Sequence, residues 1–192
     1  MRILIINGHP DPDPDHFCHA LCESYRAGAE EAGHDARALA VGAIDVPFIR
    51  NQADWRNGPL PEGIGHAQEA IAWCEHLVLV YPLWLGTMPA FLKAFLEQTF
   101  RQAFAFGEED VQSLTARRLR GRSARIVVCM GMPGFVYQWF YCGHSLRALK
   151  RNILAFCGFS PVRTSVIGQV QRSVAHRERH LKRLRRLGTL GR

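Results

Sequence analysis

The chain contains no C-x-x-C pair, no apolar run long enough to cross a bilayer and no nucleic-acid-binding signature. Each absence removes a class of function. The six cysteines (Cys18, Cys22, Cys74, Cys129, Cys142 and Cys157) are scattered, and Arg2 leads at once into a strand-like run rather than a secretory apolar segment. Together these predict a cytoplasmic protein with reduced thiols. The longest charge-free apolar stretch, LVLVYPLWLGTMPAFL, has 16 residues and is broken by Pro82, Gly86 and Pro89. A spanning helix needs about 20, so the chain is not expected to be integral to a membrane.

A net charge of +7 invites a nucleic-acid partner, yet no helix-turn-helix, zinc-finger or RNP pattern accompanies it, and none is expected. The charge gathers in RRLRGRSAR (Arg117 to Arg125) and in the tail QRSVAHRERHLKRLRRL. In the tail, Leu181, Leu184 and Leu187 recur at helical spacing among arginines. That pattern predicts an amphipathic helix over roughly residues 173–187 with a solvated basic face.

What the sequence does contain is alternation. The 192 residues are 47% apolar, enough to build one domain, 1–192, around one core. Five runs rich in Ile, Leu and Val read as strands: 2–7, 36–41, 77–82, 124–130 and 161–168. Helical patterns over His16–Ala32, Glu62–Glu75, Pro89–Phe104 and Ser145–Phe156 fill the gaps, with Gly33 and Gly158 as stops. Strands separated by helices require parallel crossovers. The expected class is therefore α/β, a flavodoxin-like three-layer sandwich around a five-stranded parallel sheet in the order 2-1-3-4-5. Two segments, Gly42–Pro61 and Ala105–Gly121, remain without elements. Their lengths suit lids or interfaces.

Such a sheet binds ligands beyond the carboxyl ends of its strands, at the switch point beside strands 1 and 3. Three loops meet there. In NGHPDPDPDHFCHAL, Pro10, Pro12 and Pro14 have no N–H, which leaves the amides of His16, Phe17 and Cys18 at a helix start to hold an anion, with His9 adding an imidazole donor. Asp15 fits the N-cap of that helix, and Asp11 and Asp13 are expected to point to water. In YPLWLGTMPAFLKAF, Trp84 is placed to wall a flat aromatic ligand, with the amides of Trp84 and Leu85 facing its polar edge. In MGMPG, Gly131 and Gly134 give backbone that a ligand can approach closely.

Metal readings of the first loop fail. Counted as a calcium loop from Asp11, the positions needing Gly and Glu hold His16 and Cys22. His16, Cys18, His19 and Cys22 suggest zinc, but no distant second ligand pair is evident. No metal site is assigned.

Together INGHP with FCHAL, YPLWLGTMPAFLKAF, MGMPGFVYQW and SLRALKRNILAFCGFSPV resemble the NAD(P)H:quinone oxidoreductase family over nearly the whole chain. The resemblance implies a cytoplasmic flavoprotein holding FMN or FAD, taking hydride from NAD(P)H and reducing a quinone or similar flat acceptor. By position it implies His9, His16, Phe17 and Cys18 at the flavin phosphate. Pro82, Leu83, Trp84 and Leu85 would border the ring, and Met130, Gly131, Met132 and Pro133 would close its polar edge. Many relatives carry serine where His16 stands. The family's catalytic tyrosine and histidine are matched most nearly by Tyr137 and His144, with Tyr141 a competitor and a helix start an equal reading of His144. The family forms homodimers with the site at the interface. Other classes on the same fold are an electron carrier and a regulatory flavoprotein subunit of a membrane transporter.

Overall fold

In the computed structural model, which describes residues 1–107 and 117–192, five parallel strands form one sheet in the order β2-β1-β3-β4-β5. They are β1 (Arg2–Asn7), β2 (Asp35–Ala40), β3 (His76–Pro82), β4 (Ser123–Cys129) and β5 (Val162–Ile167). The expected class and order hold. The register runs Ile5 opposite both Ala38 and Val78, then Leu79 opposite Ile126 and Ile126 opposite Thr164.

Side-chain alternation divides the core into two layers. Leu4, Ile6, Leu77, Leu79, Ala124, Ile126 and Val128 pack on α3 (Glu62–Trp73) and α4 (Ala90–Thr99). Ile3, Ile5, Val78, Val80, Val127 and Ile167 face α1 (Phe17–Glu31) and α8 (Val174–Thr189). The strand β2 differs from its expected buried character. It is an edge strand, DARALA, with most of its residues exposed.

Two glycines let α1 and α8 touch backbone to backbone. A Cβ on Gly28 would lie 1.9 Å from the Arg185 carbonyl oxygen, and one on Gly188 would lie 2.1 Å from that of Tyr25. The exposed pair Arg185–Glu31 closes the outer edge of the same crossing. The basic tail is thus a helix whose leucines, Leu181, Leu184 and Leu187, join the second core layer.

Several boundaries move. The helix predicted over Pro89–Phe104 stops at Thr99. The one predicted over Ser145–Phe156 is a continuous run of α6 (His144–Ala148), a π-helical stretch (Leu149–Leu154) and α7 (Ala155–Cys157), ended as expected by left-handed Gly158. The segment Gly42–Pro61 contains a 3₁₀ turn (Val41–Ala43, at its start) and α2 (Gln52–Asn57). The middle of Ala105–Gly121 lies outside the described residues.

Candidate functional site

The chain leaves β1 close against β3 and α4. The Gly8 amide donates to the Val80 carbonyl over 2.7 Å, and a Cβ there would lie 2.8 Å from a Leu92 methyl carbon. The loop that follows is knit by its own carboxylates. Asp13 N–H donates to Asp11 Oδ1 (3.0 Å), Asp15 N–H donates to Asp13 Oδ1 (2.9 Å), and Asp11 Oδ2 pairs with His16 Nε2 (2.9 Å). Successive Asx turns therefore replace the extended Pro-Asp repeat expected from the sequence. The aspartates remain exposed. Contact with His16 and with the Asp13 amide holds the Asp11 carboxyl below its usual range.

The cap also differs. His16, not Asp15, occupies the N-cap of α1, without a side-chain bond to the helix. Its amide donates to the Asp13 carbonyl (3.4 Å), so it is not free for an anion. The amides of Phe17 and Cys18 have no acceptor among the described residues and lie at the positive end of a 15-residue helix. Of Cys18 it is the amide and not the thiol that is available, because its buried Sγ lies 3.2 Å from Cys129 Sγ, a contact that with burial drives the thiol pKa far up.

His9 is buried beneath this loop, its ring stacked on His16 at 3.8 Å and met edge-on by Trp84 at 5.6 Å. His9 Nδ1 lies 3.1 Å from both the amide nitrogen and the carbonyl oxygen of Asp11; in the tautomer where the amide donates to Nδ1, the ring proton is on Nε2. Burial is the main reason the His9 pKa falls below the ordinary histidine value.

After β3, Leu83 N–H donates to the Cys129 carbonyl (2.8 Å), and Trp84 and Thr87 exchange backbone hydrogen bonds of 2.9 and 3.0 Å. Leu85 (φ 45°) and Gly86 (φ 80°) occupy the left-handed region between them, the signature of a mirror-image tight turn. The Trp84 amide is thus consumed by the turn, contrary to expectation. Its indole is 48% exposed and Leu85 fully so. Leu85 thus combines strained left-handed backbone with a side chain that the core does not bury.

The third loop is tied to β5 by Met130 N–H to the Ile167 carbonyl (2.9 Å) and Gln169 N–H to the Met132 carbonyl (3.1 Å). A Cβ on Gly131 would meet nothing within 4 Å, so that backbone is open. Met132 and Pro133 are half-buried, and Gly134 begins α5 (Gly134–Trp139).

Tyr137 is not at the surface. It is 2% exposed, and its hydroxyl, 2.8 Å from Ser145 Oγ, accepts from the Leu146 amide (3.0 Å). The exposed tyrosine is Tyr141. His144 is exposed at the first residue of α6.

The sequence reading missed a groove of about 580 Å³ beside the second loop. Trp84, Leu85 and Met88 form one wall and Ser145, Leu149 and Asn152 the other, with Lys93 at its edge. The residues on the far wall lie some sixty positions along the chain, and only the packing of α6 against the loop after β3 unites them. On α5 and just past its end, Phe135, Trp139 and Phe140 project into solvent, 67%, 82% and 78% exposed. Among the described residues no group of His, Cys, Asp and Glu could hold a metal, and no helix is long and apolar enough to cross a membrane.

A parallel sheet whose first, third and fourth loops converge at its switch point defines a doubly wound ligand-binding α/β protein. The chain belongs to the flavodoxin-like fold family, whose model matches residues 1–188. The resemblance to NAD(P)H:quinone oxidoreductases is borne out by its relatives. An uncharacterized NAD(P)H oxidoreductase of Haemophilus influenzae is 28% identical over 174 residues, covering 88% of this chain and 85% of the relative. The structure of an NAD(P)H:quinone oxidoreductase from Methanothermobacter marburgensis superimposes with a TM-score of 0.82 at 22% identity, covering 98% of this chain and 96% of that one. An FMN-dependent NADH-azoreductase from Bacillus anthracis, in complex with FMN, gives 0.73 at 16% identity and covers both chains fully. Likeness at these identities establishes the fold.

Proposed function

We propose that the chain is a flavin-dependent NAD(P)H oxidoreductase that passes two electrons to a quinone, working as a homodimer with the site at the interface. One observation carries the reading. The free Phe17 and Cys18 amides, the exposed Trp84–Leu85 turn and the open backbone at Gly131 converge at one end of the sheet. Together they offer an anion seat, a flat apolar wall and a polar edge, which is the outline of FMN or FAD. FMN is what the azoreductase of the same fold binds.

When bound, the flavin would accept hydride from the nicotinamide and release two electrons to the acceptor. The chain's part is to bind, orient and exclude water. The Phe17 and Cys18 amides and His9 Nε2–H would hold the phosphate, with His16 stacked to fix His9. Pro82, Leu83, Trp84 and Leu85 would border the ring, and Met130, Gly131, Met132 and Pro133 would close its polar edge. His144, at the exposed start of α6, would donate a proton to the reduced acceptor. Tyr137 would serve as a positioning residue, since its hydroxyl holds the start of α6. The apolar groove would seat a flat acceptor. A second copy covering Trp139 and Phe140 would account for their exposure, and no nucleic acid is required.

The test is a spectrum of the purified protein, chromatography of the released cofactor, and stopped-flow oxidation of NADH and NADPH with quinone and azo acceptors. Yellow protein, rapid NAD(P)H oxidation without a partner protein and parallel double-reciprocal lines are expected. A colourless protein that binds neither FMN nor FAD in titration would overturn the reading.

A further inference from the structure

The opposite end of the sheet carries a second polar assembly. His76 on β3, Arg125 on β4 and Arg163 and Ser165 on β5 all project toward α1 and α8, since alternation places them with Val78, Val127 and Ile167. Tyr25 of α1 packs over them, its ring 6.4 Å from that of His76. Tyr25, His76, Arg125 and Ser165 are all at least nine-tenths buried.

Two buried arginines show what is missing here. Arg101, 7% exposed and unpartnered at Nε, donates through its Nη atoms to the carbonyls of Gly58 and Pro59 and to Gln98 Oε1, and an acidic group, Asp54, acts on it. Arg125, 6% exposed, has one acceptor, Ser165 Oγ at 2.8 Å. Among the described residues it forms no ion pair. Burial is the main reason its pKa is lowered; Tyr25 opposes the shift, and the cationic neighbours Arg163, Arg183 and Arg192 add to it. A buried guanidinium surrounded by its own sign is costly unless something negative joins it.

Its neighbours are donors too. Arg125 Nε, Tyr25 Oη and His76 Nε2 are all shut off from solvent without a hydrogen-bond partner. Burial keeps Tyr25 a neutral phenol and lowers the His76 pKa to about 4, so neither supplies a counter-charge. His76 Nδ1 is engaged with Ser123 Oγ (2.7 Å); when that hydroxyl donates, Nε2 bears the proton. Arg125 Nε can only donate, Tyr25 Oη can donate, and His76 Nε2 donates in that tautomer; with no partner among the described residues and no access to bulk water, they favour a ligand that is anionic, only accepts, and is small.

We propose that this amino-end nest binds a small monovalent anion of chloride size through Arg125, Tyr25 and His76, with the exposed Arg163 and Arg183 drawing it in. The anion would secure α1 and α8 to the sheet, far from the flavin loops.

The experiment is a thermal melt of the full chain in sodium chloride against sodium gluconate at fixed ionic strength. A saturable rise of about 3 °C or more in chloride is expected. It should vanish in Arg125→Met and shift to higher chloride in Arg163→Ala, which alters an exposed side chain and should fold. Arg56→Ala, distant from the nest, should keep the full response. Crystals grown in bromide should show an anomalous peak beside Arg125 and Tyr25. Equal melting curves in chloride and gluconate, an unchanged response in Arg163→Ala, or water alone at the site in bromide crystals would each overturn the proposal.

Discussion

The two ends of the sheet treat histidine in opposite ways. At the carboxyl end His9 has its Nδ1 held by the backbone of Asp11, and its other nitrogen is not among the sealed, unpartnered atoms. At the amino end His76 has one partner, Ser123, and its other nitrogen faces a sealed interior. Local loop bonds can be arranged independently of the core, so the carboxyl end presents spare donors without straining the fold. The amino end has no such freedom, because its polar groups sit on strands whose register the core dictates. Changes there should affect stability, and changes at the carboxyl end should affect binding.

The strongest way to break that division is at the crossing of α1 and α8. Gly28→Ala forces a methyl group into the Arg185 carbonyl and should cost about 3 kcal/mol or more in urea unfolding, with flavin affinity retained by the folded fraction. Next in size is the acid response. The pKa of His76 is lowered to about 4 from an ordinary 6.5, so the unfolded chain binds its proton first as pH falls. Stability should be flat above about pH 6.5 and decline by about 2 to 3 kcal/mol toward pH 4. In His76→Asn that decline should be much shallower, read as the urea midpoint against pH.

At the other end, Trp84→Ala should weaken FMN binding about tenfold, near 1.4 kcal/mol, with little change in melting temperature because the indole is half exposed. A melting point lowered by several degrees at unchanged affinity would instead make Trp84 a core residue. The smallest effect belongs to Asp11→Asn with Asp13→Asn. Asparagine keeps the Oδ1 acceptors of both turns, so FMN affinity should change by about twofold or less. A tenfold change would mean the carboxylates belong to the site.

Much of this was legible from residue order. Apolar runs parted by helices gave all five strands and their order, and the first strand was read to the residue, Arg2 to Asn7. The loop after β3 was legible as a turn because Gly86 sits in it, but nothing in the letters shows that Trp84 bonds Thr87 rather than a ligand. The cap of α1 was misread because Asp11, Asp13 and Asp15 are each competent acceptors. Which amide each one takes depends on the path of the loop. Tyr137 lies in α5 and Tyr141 two residues beyond its end, and only the fold shows which of them turns inward. Arg125 did leave a signal, a charge inside the buried run SARIVVC. It was absorbed into the neighbouring basic segment, and its isolation shows only once β3, β4 and β5 lie in register.

The ladder of Asx turns ahead of α1 has a consequence for the thermodynamics of loading. Because Asp11 and Asp13 already satisfy the amides of Asp13 and Asp15, the seat proposed at Phe17 and Cys18 would be shaped before any phosphate arrives. A preorganised seat spares the ligand the entropy of ordering a glycine-rich loop. Loading this end of the molecule should thus carry the signature of a rigid receptor, with association limited by encounter rather than by rearrangement.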